Sequence, residues 1–286
     1  MQTLHSIKTL KTTIKEAKAN ALRIGFVPTM GNLHEGHLRL IDVARERCDY
    51  VVCSIFVNPM QFGANEDLDS YPRTLEDDQR KLITRNTDLL FAPSANEMYP
   101  NGMQHHVKIN MPHMAGVLCG KSRPTHFEGV CTVVSKLFNQ VEPDVAVFGK
   151  KDMQQLLIIK QMTMDLCLPI EVIGVDTERE QNGLALSSRN SLLTAKEKEE
   201  AQVISQILTT IKREINSGNV DYQQLLETGI AALEETSLKT DYLEIRDLLN
   251  FETAKNGQTY ENLGIFAAAF AEKTRLIDNT TTREIN

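Results

Sequence analysis

A chain of 286 residues, 41% hydrophobic and 24% charged, has an ordinary globular composition, long enough for two unequal domains with a buried core. Its net charge of -7 argues against a protein that lives on a nucleic-acid backbone, which needs a basic excess. Five cysteines (Cys48, Cys53, Cys119, Cys131 and Cys167), an odd count with no Cys-x-x-Cys, exclude a disulfide framework or zinc knuckle as the simplest reading and suggest buried thiols in a reducing cytoplasm. No stretch reads as a secretion signal or a membrane span.

Along the chain, a polar helical pattern over the first twenty residues leads to a short apolar run at 24–27. Helical spacing follows over 38–47, at Leu38, Ile41 and Ala44. The run 50–57 is apolar throughout and stops at Asn58-Pro59. A charged amphipathic helix is predicted over 74–86 and a strand over 88–92, closed by Pro93. Helices over 127–140 and 152–166 flank a strand at 144–148, and another strand follows at 170–175. Near-continuous apolar strands alternating with helices predict an α/β fold: a Rossmann-like parallel sheet flanked by helices. Polar, glycine-bearing segments stand after four of these strands, at 28–37, 58–63, 149–155 and 177–190, where such sheets bind ligands.

The character changes near residue 177. Thr194 and Glu197 make a capping-box pattern, and Ile204, Ile207, Ile211 and Ile215 mark one apolar stripe until Ser217-Gly218. Asp221 opens a second helix to about residue 235, and 242–245 and 264–270 read as strands. The expected organisation is a nucleotide-binding domain over 1–176 and a smaller α+β lid domain over 177–286.

The segment Pro28-Thr29-Met30-Gly31-Asn32-Leu33-His34-Glu35-Gly36-His37 carries the strongest chemical signal. Gly31 and Gly36 let a backbone approach a ligand, and a helix N-terminus offers N–H groups to phosphate. His34 and His37 are three apart and share a helical face, so both rings can bond one polyphosphate. Zinc ligation and simple helix capping compete with that reading. Asn58 and Gln61 are neutral amides at a strand end, suited to a hydroxyl or carboxylate, with an ordinary Asn-Pro turn as the alternative. Lys151 sits at a helix start, against the macrodipole, and is comfortable there with an anion or in solvent. Ser187, Ser188 and Arg189 suit a triphosphate but alone read as a loop.

The strand-to-helix segment resembles the HxGH signature of the nucleotidyltransferase superfamily, and in its full length is similar to the pantothenate synthetase (pantoate–β-alanine ligase) family. Val57-Asn58-Pro59-Met60-Gln61-Phe62-Gly63, Tyr71-Pro72-Arg73, Gly149-Lys150-Lys151-Asp152-Met153-Gln154-Gln155 and Leu186-Ser187-Ser188-Arg189-Asn190 resemble that family in order and spacing. The resemblance implies ATP-dependent condensation of (R)-pantoate with β-alanine through a pantoyl-adenylate, releasing pyrophosphate and AMP. It implies ATP contacts at Met30, Gly31, Asn32, Leu33, His34, Glu35, Gly36, His37, Gly149, Lys150, Lys151, Asp152, Glu178, Leu186, Ser187, Ser188 and Arg189. His34, His37, Lys151 and Arg189 would carry the catalysis, with Mg²⁺ on the phosphates. Gln61 and Gln155 would hold pantoate, with Asn58, Arg123 and His126 on the same side; helix capping competes for His126. Asp77 and Asp78 fall where some relatives place a magnesium contact, but Lys81 stands where an amide would complete the set. A charged outer helix face is the favoured reading there, and no protein metal ligand is assigned. Glu178 replaces a frequent valine on the adenine side. The partners implied are small molecules, not nucleic acid or membrane, in a cytoplasmic homodimer to which the apolar 50–57 and 107–117 runs contribute. Another adenylyltransferase of the superfamily, or a nucleotide-sensing module, is the alternative.

Overall fold

The computed structural model describes residues 1–63, Glu66 and 68–284. The chain forms two compact units: Met1–Lys150 with Gln154–Asp176, and Lys151–Met153 with Thr177–Asn286.

The first unit is built on six parallel strands: β1 (Gln2–Leu4), β2 (Ile24–Thr29), β3 (Tyr50–Ile55), β4 (Leu89–Phe91), β5 (Val145–Gly149) and β6 (Glu171–Val175), in the order β1-β4-β3-β2-β5-β6. From β2 the chain winds outward through β3 and β4 on one side, then returns to pair β5 with β2 on the other. That reversal is the switch point at which open α/β sheets leave a crevice beyond their strand ends. Phe26, Val51, Val52, Leu90 and Val147 have no exposed surface, because helices cover both faces. The helices are α1 (Ile7–Ala19), α2 (Glu35–Arg47), α3 (Leu75–Thr84), α7 (His126–Val141) and α8 (Met153–Asp165), with single turns α4 (Ala95–Met98), α5 (Pro112–Ala115) and α6 (Cys119–Ser122) between α3 and α7. Leu38, Ile41 and Ala44 are the buried stripe of α2, as their spacing predicts.

Four expectations need correction. The first strand, β1, lies inside what reads as a uniform polar helix; three residues are too few to show a period. Helix α2 begins at Glu35, not Leu38, so Gly36 and His37 are already helical. The run 50–57 is strand only over Tyr50–Ile55, an interior strand paired on both edges, with Val51, Val52 and Cys53 fully covered. Asp78 is not on an outer helix face: it has no exposed surface. Of the cysteines, four are buried and Cys167 is exposed, all as free thiols.

The second unit packs α9 (Ala195–Asn216) and α10 (Tyr222–Glu234) against an antiparallel sheet of β7 (Lys239–Asp247), β8 (Leu263–Ala271) and β9 (Thr274–Thr281). Thr194 and Glu197 cap α9 reciprocally: Glu197 N–H donates to the Thr194 hydroxyl at 3.3 Å and Thr194 N–H to the Glu197 carboxylate at 2.7 Å. Ile204, Ile207 and Ile211 are buried against this sheet, whose central strand keeps Ala267–Ala269 under the helix. Strand β9 has no apolar run to announce it and is held by a hairpin to β8. No helix of the described residues is long and apolar enough to cross a membrane.

Candidate active site

Strand β2 ends at the switch point, and the turn beyond it is unusual backbone. Gly31 has φ +85° and Asn32 φ +50°, so two successive residues are left-handed before α2 begins. Thr29 closes the near side: its hydroxyl donates to Ser54 O at 2.8 Å and accepts from Gly31 N–H at 3.3 Å. His34 is the N-cap of α2, and its N–H donates to His37 Nδ1 at 3.3 Å. That bond fixes the neutral His37 tautomer, because Nδ1 must accept and Nε2 then carries the proton. The two rings lie 4.1 Å apart between centroids. Both are half-buried at a helix N-terminus, where backbone N–H groups and the macrodipole favour an anion. Among the described residues no cluster of three histidine, cysteine or carboxylate side chains could hold a metal, so the zinc reading of His34 and His37 lacks the further ligands it needs. Glu35 turns away: its carboxylate is exposed and pairs with Arg85 at 2.8 Å, leaving only its backbone to the turn.

The segment after β3 forms a 3₁₀ turn, Pro59–Gln61, packed on α7. Gln61 is 7% exposed, and its Nε2 donates to Met30 Sδ at 3.1 Å, tying this turn to the one after β2. Asn58 is 1% exposed. Its Nδ2 donates to Gln61 Oε1 at 3.2 Å and Gly129 O at 3.1 Å; its Oδ1 accepts from the Tyr99 hydroxyl at 2.8 Å and Met60 N–H at 3.3 Å. All four of its hydrogen-bonding positions are thus occupied by protein, so it shapes the turn. Arg123 and His126 behave alike. Arg123 grips Glu66 with Nε and a terminal nitrogen and reaches Gln61 O at 3.3 Å. His126, the first residue of α7, donates from Nδ1 to the same carbonyl at 2.9 Å. Burial raises the Glu66 carboxyl, but the Arg123 hydrogen bond and charge, with His126 behind them, outweigh it and hold it below the usual carboxylate range. A cavity of about 500 Å³ opens beyond the ends of β2, β3 and β4, with Met30, Gly31, Phe56 and Arg73 in its wall.

On the other side of β2, the pairing of Gly25 with Val145 and Phe26 with Ala146 brings the end of β5 level with the end of β2. Gly149 closes β5 with open space where a side chain would stand. Lys150 is tied to Asp176 at 2.7 Å. Gln154 is buried and used structurally: it accepts from Cys119 N–H at 3.1 Å and donates to Met114 O and Val117 O, each at 2.8 Å. Gln155, next along α8, is half-buried.

The remaining candidates belong to the second unit. The Lys151 side chain is 18% exposed, 4.0 Å from Asp152, and its carbonyl accepts from Asn279 Nδ2 at 2.7 Å. Glu178 is exposed, and its carbonyl accepts from Leu186 N–H at 2.8 Å, so its side chain points to solvent. Asn190 anchors the 186–190 turn, donating to Glu180 Oε1 and Ala185 O, while the Ser187 hydroxyl accepts from Arg189 N–H at 3.2 Å. Ser188 and Arg189 stand at the crest of that turn.

The pantoate–β-alanine ligase family model matches residues 2–281. The chain belongs to this family. It is 50% identical over 279 residues to the pantothenate synthetase of Pseudomonas fluorescens (strain Pf0-1), covering 98% of this chain and 97% of that one. It is 47% identical over all 286 residues to the pantothenate synthetase of Saccharophagus degradans. The crystal structure of pantothenate synthetase from Thermus thermophilus superposes with TM-score 0.89 at 40% identity, covering 98% of this chain and 99% of that one. A pantoate–β-alanine ligase from Francisella tularensis, solved with a β,γ-ATP compound and β-alanine, gives TM-score 0.80 at 36% identity over 99% of this chain and 98% of that one. As a member of this family the chain is a ligase that forms a carbon–nitrogen bond, and ATP is its co-substrate.

Four residues that shape these turns have structural roles that a reading of the sequence does not give. Asp78 and Lys81 look like part of a solvated charge pattern. Gly129 reads as a mere helix residue, although a Cβ there would lie 2.4 Å from Met60 O. Tyr99 follows no motif and meets Asn58 only through the fold.

Proposed function

We propose that this ligase condenses (R)-pantoate with β-alanine in two steps. A pantoate carboxylate oxygen attacks the α-phosphorus of ATP, forming an O–P bond as the bond to pyrophosphate breaks. The ammonium of β-alanine loses one proton to solvent, and the amine so formed attacks the acyl carbon, forming the C–N bond of pantothenate and expelling AMP as the nitrogen gives up a second proton to solvent. The protein need supply no nucleophile, only alignment and charge neutralisation.

The observation that carries this reading is the contact of Gln61 with Met30 at 3.1 Å, which sets a neutral, buried amide beside the histidine-capped helix N-terminus. A carboxylate on the amide and a phosphate on the helix are then neighbours. Gln61 and Gln155 would hold pantoate. His34, His37, Lys151, Ser187, Ser188 and Arg189 would hold the phosphates, where added positive charge counts most as pyrophosphate leaves. Asn58, Arg123 and His126, expected to touch pantoate, act in this reading by holding the Gln61 turn. Magnesium would arrive on the nucleotide's phosphates. The Asp77, Asp78 and Lys81 set does not fit a bound metal: Asp77 pairs with Arg80, Asp78 already accepts three protein hydrogen bonds, and Lys81 adds a positive charge. The same reading makes the enzyme a cytoplasmic homodimer, a state that sedimentation checks.

The test is pyrophosphate–ATP exchange dependent on pantoate, followed by AMP release on adding β-alanine. Exchange with an amino acid in place of pantoate would favour a synthetase-like activity. ATP binding without exchange for any carboxylate would favour a nucleotide sensor.

A further inference from the structure

Helix α3 reaches under the histidine turn and holds it at three points. Asp78 Oδ2 accepts from Asn32 N–H at 2.9 Å and from the Thr74 hydroxyl at 3.1 Å, and Oδ1 accepts from Leu33 N–H at 2.8 Å. Lys81 Nζ donates to Leu33 O at 2.6 Å. Asp78 and Lys81 are three residues apart and so share a face of α3. Between them they grip both polar groups of one residue, Leu33, which is itself 2% exposed and immediately precedes His34.

The grip falls where the backbone most needs it. Gly31 takes its φ of +85° freely, but Asn32, at φ +50°, is a non-glycine residue in the left-handed region and gains from being held there. Charge-assisted bonds from a carboxylate to backbone N–H groups are the strong kind, and stronger still away from water. Asp78 has no exposed surface at all. Three donors, from the turn and from Thr74, converge on its carboxylate, and Lys81 on the same face of α3 adds a positive charge that disfavours a metal ion there. The bonds also aim the Asn32 and Leu33 N–H groups at Asp78, which leaves anion binding on this turn to the first N–H groups of α2 and to the histidine rings.

We propose that Asp78 and Lys81 are positioning residues for adenylation: they set the Gly31–Leu33 backbone so that His34 and His37 meet the ATP phosphates, and Asp78 binds no metal. This rests on the reading of the turn as the ATP site. A misplacement of about 1 Å far from the bond being made can cost about 10²-fold in rate. Asp78→Asn turns an acceptor oxygen into an NH₂ group facing a backbone N–H, which pushes the turn away without removing bulk.

The experiment measures pantoate-dependent pyrophosphate–ATP exchange for the full-length protein, Asp78→Asn and Lys81→Met, each across a Mg²⁺ titration at fixed ATP, with the melting temperature alongside. Expected are kcat losses of about 10- to 100-fold for Asp78→Asn and about 5-fold or more for Lys81→Met. The Mg²⁺ concentration giving half-maximal rate stays unchanged in both. Recovery of the Asp78→Asn rate at raised Mg²⁺ would make Asp78 a metal ligand and overturn the inference. Wild-type kcat in both folded variants would overturn it too. If Asp78→Asn does not fold, Lys81→Met and Thr74→Val, which removes one bond to Asp78, decide the matter by the same two readouts. No exchange in the unmodified protein would overturn the functional reading and this inference with it; exchange there with unaffected variants overturns this inference alone.

Discussion

His126 donates from Nδ1 to the backbone carbonyl of Gln61 across 2.9 Å, 65 residues apart in sequence. The imidazole therefore steadies the Pro59–Gln61 turn. Loss of one such hydrogen bond is worth about 0.5–1.5 kcal/mol, which corresponds to a roughly 2- to 13-fold change in an equilibrium. His126→Ala should raise the pantoate KM within that range and leave the ATP KM and the melting temperature close to wild type. Initial-rate kinetics with each substrate varied in turn check it. A direct pantoate contact that matters in the transition state would instead lower kcat.

Gly129 is the steric counterpart of that bond. A Cβ at this position would stand 2.4 Å from Met60 O and 2.6 Å from Gln61 N, both backbone atoms that cannot rotate aside. Gly129→Ala should therefore push the Pro59–Gln61 turn off α7. The expected cost is about 1–3 kcal/mol of stability, the usual range for overpacking, with a larger rise in pantoate KM than in ATP KM. Thermal melts and substrate titrations measure both. An unshifted melting temperature would mean that the turn moves freely, against its packing on α7.

The parallel sheet and the histidine turn are legible in the sequence because both are local patterns. Apolar runs such as 145–149 announce a buried strand, and His34 and His37 need only their own spacing to share a face. What escaped depends on contacts distant in sequence. Glu76, Asp77, Asp78, Arg80 and Lys81 look alike on a charged helix, yet Asp77 is exposed beside Arg80 while Asp78 is fully buried. Nothing within α3 tells them apart. The difference comes from the turn 45 and 46 residues upstream whose N–H groups Asp78 receives. Asn58 likewise owes its partners to distant chain: a polar residue at a strand end reads as open to a ligand, and Tyr99 and Gly129, both far along the chain, bind its amide.

Glu66 gives the Gln61 turn an acid limit. Its pKa is lowered in the fold, because Arg123 and His126 outweigh the cost of burial. A depressed carboxylate pKa contributes stability that is fully present above the unfolded value, near 4.5, and is lost as pH falls through the folded one. Pantoate KM should therefore hold steady from neutrality down to the ordinary glutamate range and rise below it, as Arg123 loses its anionic partner. In Glu66→Gln the KM should be raised already at neutral pH and the acid limb should flatten. Profiles of KM against pH for the two proteins test this. Parallel acid limbs would assign the titration elsewhere.

His37 and Lys151 separate chemistry from folding. In neutral His37, Nδ1 accepts from the His34 N–H, so Nε2 carries the ring proton. Replacing this residue by Ala removes a donor to developing charge on the pyrophosphate, a loss of about 10²- to 10³-fold where such donors have been removed from oxyanion sites. The same change also removes one bond of the helix cap, worth only about 1 kcal/mol. Lys151→Ala removes a cation whose ion pair among the described residues is the loose 4.0 Å approach to Asp152, so stability should barely change. Both variants should therefore lose pantoate-dependent pyrophosphate exchange by about 10²-fold or more while melting within a few degrees of wild type. Supplying preformed pantoyl-adenylate bypasses the first step. If His37 and Lys151 serve the leaving pyrophosphate, release of AMP by β-alanine from that adenylate should run near the wild-type rate. An equal deficit in both half-reactions would place them on the adenylate itself.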